Sequence, residues 1–289
     1  MTITDHLDAE SAMQLLDATE RNDKVAPFSE AFLRGVREPA LGHVHDVREE
    51  GGKLVGIAAL APDGSAEIAV HPNTRRRGHG RALAEAVLAR VPKAQLWAHG
   101  NLPAAQALAE SLGLASTREL LVMGIEGTTL DAAANPAIPS GFEALNYPQA
   151  VERFGTQNTE RAWLTANNEA FSWHPEQGGW DVARLHQGMD TDWFDPSGVW
   201  FLYDGDQLAG FHWTKRHPGD VGEVYVIGLA TAYRGKGLGA PLLSLGLKHL
   251  VDAASCQVIL YVEADNAPAV RRYTEMGFRV REQHVVYAR

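Results

Sequence analysis

Hydrophobic positions along the chain follow two alternating periods, one helical and one strand-like. Ser11–Arg21 and Ser29–Arg37 space them as helices do, and three strand-like runs come next: His43–Arg48, Lys53–Leu60 and Ala66–Val70. Glu50-Gly51-Gly52, between the first two runs, is a hairpin turn signal. The pattern then predicts a helix over Gly80–Arg90, a strand over Ala94–Ala98, a helix over Pro103–Leu112 and a strand over Arg118–Ile125. The same order returns later. Strands are predicted at Gly198–Tyr203, Gln207–Thr214 and Glu223–Leu229, then helix Gly239–Ala253, strand Gln257–Glu263, helix Pro268–Met276 and strand Arg281–Ala288. Hairpin strands precede one βα crossover in each half. The fold class is therefore α+β (mixed α/β), with two tandem units, each a central, largely antiparallel twisted sheet flanked by helices.

Local signatures support the duplication. The turn headed by Arg75 (RRRGHGRALA) has a cousin headed by Arg234 (RGKGLGAPLL). Asn101-Leu-Pro-Ala-Ala pairs with Asn266-Ala-Pro-Ala-Val, and Leu112-Gly-Leu114 with Met276-Gly-Phe278, in the same order and at nearly constant spacing. That spacing is domain-sized, which excludes a solenoid. Between the halves, residues 127–141 are small, polar and punctuated by proline, as linkers are. The boundary is placed near residue 140, giving domains 1–140 and 141–289.

Composition narrows the partners. With 45% apolar and 21% charged residues in 289, a folded core is expected. A net charge of −10 argues against a general nucleic-acid or anionic-membrane binder. One cysteine, Cys256, allows no internal disulfide and fits a reducing compartment. The N-terminus carries no signal-like pattern and no run approaches a membrane span, so a cytoplasmic monomer acting on a small molecule is expected.

The two glycine turns concentrate basic charge where a strand gives way to an apolar helix. A helix start offers unpaired N–H groups and the positive dipole end, and glycine lets a ligand approach the backbone. This is the chemistry of a pyrophosphate cradle, although a plain turn would leave the same letters. Neither the P-loop nor the dinucleotide-fold pattern is present. Arg-x-x-Gly-x-Gly/Ala after a strand, followed by Asn-x-x-Ala-x-x-x-Tyr-x-x-x-Gly-Phe, resembles the GNAT acyltransferase superfamily. The C-terminal half carries both parts, at Arg234–Ala240 and Asn266–Phe278. A longer resemblance spans nearly the whole chain. It runs through Trp173-His-Pro-Glu-Gln-Gly-Gly-Trp180, Gly210–Lys215, Gly222–Leu229 and Leu260–Asn266. It is to tandem GNAT enzymes that acetylate the cysteinyl amine of a cysteine–glucosamine–inositol pseudodisaccharide.

The resemblance implies acetyl-CoA as co-substrate and no metal. It implies coenzyme contacts at Ile68, Ala69, Val70, Arg76, Arg77, Gly78, His79, Gly80 and Arg81 in the first half. In the second half they fall at Ile227, Gly228, Leu229, Arg234, Gly235, Lys236, Gly237, Leu238, Gly239, Ala240, Asn266, Ala267, Pro268, Ala269, Val270 and Arg271. The strand before the turn would bond the pantetheine arm and aim a backbone N–H at the thioester carbonyl. Glu223 is implied as general base and Tyr273 as general acid, with Glu30, Glu176, Lys215, Glu223 and Tyr261 lining the acceptor site.

Acetyl transfer to an amine needs a neutral amine, two reactants held together, a donor for the oxyanion and help for the departing thiolate. An α-amino group has a pKa of about 7.7–8.0, so a carboxylate suffices as base. A strand-end carboxylate and a packed helix aromatic would equally account for Glu223 and Tyr273 taken singly; the combined motif favours the catalytic reading. The first half differs: Gly64 stands where Glu223 would be, and Leu108 where Tyr273 would be. It keeps a cradle and lacks both proton-transfer groups. Cys256 is expected to be a small core residue, and the tryptophans mostly core, with Trp173 and Trp180 flanking a substrate-like loop. The alternatives are a tandem GNAT enzyme for another small amine and a non-catalytic acetyl-CoA sensor.

Overall fold

The computed structural model describes residues 2–3, 7–172 and 177–289. Two compact units account for it. The first comprises Met1–Leu121, Glu263–Asp265 and Glu282–Arg289, and the second Val122–Val262 and Asn266–Arg281.

In the first unit the elements are β1 (Thr2–Ile3), α1 (Ala9–Asp23), α2 (Glu30–Arg37), β2 (Val44–Glu50), β3 (Lys53–Leu60), β4 (Ser65–Val70), α3 (His79–Arg90), β5 (Gln95–Ala98), α4 (Pro103–Ser111) and the start of β6 (Ala115–Glu126). β1 to β4 pair antiparallel in sequence order, and β4 pairs parallel with β5 across the α3 crossover. β3 is buried on both faces, which is why LVGIAAL runs apolar without alternation. Ile57 and Ala59 pack under α1 and α2 with Leu15, Leu16, Phe32 and Val36. Ala58 and Leu60 face Leu83, Val87 and Leu88 of α3. The carboxyl end of the chain completes this unit: Val285, Val286 and Tyr287 pair antiparallel with β5.

The second unit holds α5 (Gly127–Ala133), β7 (Phe142–Asn146), α6 (Tyr147–Phe154), α7 (Thr156–Ala170), α8 (Val182–Met189), β8 (Val199–Asp204), β9 (Gln207–Arg216), β10 (Val221–Leu229), α9 (Gly239–Asp252), β11 (Gln257–Glu263), α10 (Ala267–Glu275) and the start of β12 (Arg279–Ala288). β7 to β10 are antiparallel and β10–β11 parallel, so each unit has the expected largely antiparallel sheet with one crossover. Trp163, Phe201, Phe211 and Trp213 form an aromatic core between α7 and the sheet. Leu202, Ala209, Leu242 and Leu245 fill the α9 side.

Two expectations are corrected. Residues 127–141 are not all linker: Gly127–Ala133 is helical, because Leu130 is drawn into the core at 2% exposure. Cys256 is exposed, not core. The left-handed Ala254 ends the turn after α9, burying Ser255 and leaving the Cys256 thiol to donate to Asp220 Oδ2 at 2.6 Å.

The seat of α9 matters for the turn it follows. Gly246 lies on the buried His212 ring, where an added Cβ would meet ring atoms at 2.1–2.7 Å. His212 Nδ1 contacts the Leu242 carbonyl at 3.1 Å, and burial pulls the imidazole down to about 4. Gly246→Ala is expected to destabilise the chain by about 1–3 kcal/mol in denaturant melts, as core overpacking does. Gly239→Ala, with open space around the new Cβ, is expected to stay within about 0.5 kcal/mol of the parent; equal losses would contradict this packing. His212 is held neutral below its ordinary value, so the unfolded chain binds the proton first. Its contribution is complete above about 6.5 and is lost as pH falls towards about 4, removing about 2 kcal/mol between about pH 7 and pH 5. His212→Gln is expected to flatten that part of the stability–pH curve, and an unchanged slope would refute it.

Candidate active site

The β9–β10 hairpin places three ionisable side chains on one sheet face. Glu223 pairs in register with Lys215, and the His217 N–H donates to the Val221 carbonyl at 2.9 Å across the hairpin end. Residues two apart share a face, so His217 and Glu223 are diagonal neighbours. The Glu223 carboxylate is buried, with Oε2 at 2.6 Å from His217 Nε2. Lys215 is also buried, its Nζ lying 5.0 Å from the Trp193 ring centre and 6.0 Å from that of Tyr225.

Beyond Glu223 the sheet opens. The β9–β10 register shifts between Val224 and Val226, a bulge that bends the strand. The parallel β10–β11 ladder ends at Val224–Leu260, although β10 continues to Leu229 with β9 alone. Ile227, Gly228 and Leu229 therefore have no ladder partner on β11, and such an edge is where an extended ligand can add as a strand. The first unit shows the same ending: β4–β5 pairing stops at Glu67–Trp97 while β4 runs on through Ile68, Ala69 and Val70. Those three residues line a cavity of about 660 Å³, together with Arg76, Gly78, His79, Gly80, Arg81 and α4 side chains that include Leu108.

The glycine turns close in the same way. Arg75 Nε donates to the Val70 carbonyl at 3.1 Å, and Arg234 Nε to the Leu229 carbonyl at 3.3 Å. Gly235 and Gly237 hold φ of 74° and 79°, a conformation that glycine adopts without strain. α9 begins at Gly239, preceded by the buried Leu238. The charges are spent differently in the two units. Arg75 forms a two-pronged pair with Asp23 at 2.8 and 2.6 Å, holding the Asp23 carboxyl below its ordinary value. Arg77 and His79 both reach Glu50, at 2.9 and 3.0 Å. Among the described residues Arg234 meets only carbonyls, Leu229 and Glu169 (2.5 Å), and Lys236 Nζ lies 4.9 Å over the Tyr233 ring. The second turn thus keeps more uncompensated positive charge.

Asn266 caps α10, its Oδ1 accepting from the Ala269 N–H at 3.3 Å. Ala267, Pro268 and Arg271 line a shallower cavity of about 290 Å³, and Ala269 and Val270 lie on the same first turns. Tyr273 packs against Phe278 at 5.8 Å between ring centres, and burial pushes its phenol up to about 12. Tyr261 is exposed on β11. Glu30 is an exposed residue opening α2 in the first unit, apart in sequence and unit from Lys215, Glu223 and Tyr261. Glu176 and Trp173 lie outside the described residues. The segment just after them is clamped by α7: Trp180 N–H donates to Asn168 Oδ1 at 2.9 Å, and Asn167 Nδ2 to the Gln177 carbonyl at 2.9 Å.

Sequence reasoning missed His217, Asn167 and Asn168, because only pairing register and helix docking reveal them. It also missed a first-unit network. Buried Glu67 takes the Ser29 N–H at 2.8 Å and meets His99 Nε2 at 2.9 Å, and His99 Nδ1 lies 3.0 Å from His284 Nδ1. Desolvation pulls His284 down to about 4. Gly64, the counterpart of Glu223, sits in a turn at φ 88°.

The acetyltransferase (GNAT) family model matches residues 9–114 and 161–278. The chain belongs to the GNAT acetyltransferase family. It is an acyltransferase of a family that draws acetyl from acetyl-CoA. This GNAT chain is 50% identical over its full length to the mycothiol acetyltransferase of Corynebacterium aurimucosum, covering 97% of that protein. It is 51% identical to that of Corynebacterium efficiens, with 96% of this chain and 92% of the relative covered. Among solved structures, a tandem GNAT protein from the clavulanic acid biosynthesis pathway superposes with a TM-score of 0.70 at 22% identity, covering 98% of this chain and 95% of its own. A GCN5-related N-acetyltransferase from Sphaerobacter thermophilus gives 0.66 at 20% identity, covering 100% and 96%. These structures share the fold.

Among the described residues no group of three or more His, Cys, Asp or Glu is placed to hold a metal ion, and no helix is long and apolar enough to cross a membrane. In this GNAT turn Arg234 is a staple and Lys236 is not. Arg234→Ala is therefore expected to cost about 1 kcal/mol in ligand-free denaturant melts, and Lys236→Ala less than about 0.5 kcal/mol. Equal losses would contradict the assignment.

Proposed function

We propose that the chain transfers acetyl from acetyl-CoA to the cysteinyl amine of 1D-myo-inositol 2-(L-cysteinylamino)-2-deoxy-glucopyranoside, forming mycothiol. The names of relatives near 50% identity over almost the full length support the acceptor. The observation that carries the mechanism is a buried carboxylate, Glu223, at the point where β10 and β11 part.

Residues 141–289 form the catalytic domain. Ile227, Gly228 and Leu229 take the pantetheine arm, and the turn Arg234–Ala240 with Asn266–Arg271 takes the phosphates at two helix N-termini. Lys215, Glu223 and Tyr261 line the acceptor site. Glu223, directly or through water, takes a proton from the acceptor ammonium, and the neutral nitrogen attacks the thioester carbon. The tetrahedral oxyanion is stabilised by a strand N–H. On collapse the C–S bond breaks, the new C–N bond remains, Tyr273 gives its proton to the departing sulfur, and the nitrogen gives up its remaining extra proton, directly or through water, to restore the phenol. A phenol at about 12 stays protonated throughout the neutral range, as a donor must. The reaction needs no metal. Residues 1–140 bind a second acetyl-CoA without catalysis: the cavity of about 660 Å³ supports occupancy, and Gly64 and Leu108 replace the proton-transfer pair. The protein acts as a cytoplasmic monomer on a small molecule, with no nucleic-acid or membrane partner.

Glu223→Gln and Tyr273→Phe are each expected to lower kcat by about 10²–10⁴-fold, the usual worth of a positioned acid or base, followed as CoA thiol release; full turnover in the double variant would reject both roles. In a panel of amines the cysteinyl pseudodisaccharide is expected to have the highest kcat/KM, and a better polyamine or aminoglycoside would replace the acceptor assignment. Calorimetry is expected to count two acetyl-CoA sites per chain. One site would make the first cradle structural.

A further inference from the structure

We propose that His217 is the positioning residue for Glu223, fixing the carboxylate through Oε2 so that Oε1 faces the acceptor amine. The inference rests on Glu223 being the base. A carboxylate 6% exposed must be paired or hydrogen-bonded to be tolerated. Two basic groups share its sheet face. Lys215 is its register partner, yet the Lys215 ammonium is directed over the Trp193 and Tyr225 rings, and no ion pair joins it to Glu223 among the described residues. His217 makes the contact instead. Its Nε2 lies 2.6 Å from Oε2, at the short end for a charge-assisted bond, and it is the one hydrogen-bond partner of the Glu223 carboxylate among the described residues.

The hairpin gives this contact its precision. The His217 N–H is locked to the Val221 carbonyl at 2.9 Å, and the loop Pro218-Gly219-Asp220 is closed by Gly219 at φ 90°. Both residues therefore sit on paired backbone, and the imidazole spans the diagonal between strands. Ring and carboxylate fix each other's rotamer. One oxygen is committed and the other is left for the proton in transit. A carboxylate released from this grip would be free to rotate, and misplacement of about 1 Å costs on the order of 10²-fold in rate.

The test compares the parent full-length chain with His217→Phe, His217→Gln, Glu223→Gln and the His217→Phe/Glu223→Gln pair, with acetyl-CoA and the cysteinyl pseudodisaccharide as substrates. His217→Phe is expected to lower kcat by about 10–100-fold while the KM for acetyl-CoA stays within about twofold, since the coenzyme cradle is untouched. His217→Gln keeps an N–H donor of similar reach and is expected to recover to within about fivefold of the parent; it also answers the question if the Phe chain does not fold. In the Glu223→Gln background, adding His217→Phe is expected to change kcat by less than about twofold, because the two residues act as a unit. A drop in Glu223→Gln alone, with His217→Phe and His217→Gln at parental kcat, overturns the positioning role and leaves the base intact. Multiplying losses in the pair overturn it as well. Full turnover in Glu223→Gln removes the base reading itself, and His217 falls with it for that separate reason.

Discussion

The structure of the second unit depends on a ladder that stops early. β10 and β11 bond as a parallel pair only to Val224–Leu260, and the bulge beside it turns the rest of β10 away. Backbone groups that leave a sheet must find other partners, so the strand end is an edge that a ligand can pair with. The buried Glu223 carboxylate sits one residue before this break, and the strand runs on into a glycine turn whose helix start suits an anion. One register decision therefore sets the unpaired strand edge and the buried carboxylate beside it together.

The two units show what duplication keeps and what it releases. Both retain the split parallel pair, the arginine stapled to its own strand-end carbonyl, and an asparagine before a proline-bearing helix. In the first unit three basic groups of the turn are answered from within: Arg75 by Asp23, and Arg77 and His79 by Glu50. The turn before its β4 holds a left-handed Gly64, which offers no side chain where the second unit has Glu223. A buried Glu67–His99–His284 chain instead ties β4, the segment after β5 and the carboxyl-terminal strand into one unit. The same framework thus carries different side chains in its two copies, which is what the proposed split between binding and chemistry rests on.

Much of this was legible in the letters. Lys53–Leu60 and Gln257–Glu263 were predicted to the residue, and the helices after the glycine turns to within a residue, because turn chemistry and period agree there. The helices α6, α7 and α8 and strand β7 were not predicted, and Gly127–Ala133 was taken as linker. In these segments tertiary burial of Trp163, Leu185 and Leu130 overrides weak local signals. Cys256 misled because its apolar character suggested burial, whereas the left-handed Ala254 turns it outward. Glu223 and Tyr273 stood out in the letters through the motif they share with the resembling family, not through periodicity. His217 was not, since its role exists only once the hairpin register sets it diagonal to Glu223.

The claim that the second unit alone unites a coenzyme crevice with proton-transfer groups is tested most directly by a crystal structure of the chain with a non-hydrolysable acetyl-CoA analogue. The analogue is expected to lie between β10 and β11 in the second unit, its carbonyl hydrogen-bonded to β10 backbone, Glu223 facing the carbonyl carbon directly or through one water, and the Tyr273 hydroxyl within hydrogen-bond reach of the sulfur-equivalent atom. An analogue seated with its carbonyl remote from Glu223 and Tyr273, or bound in the first unit alone at saturating concentration, would contradict it.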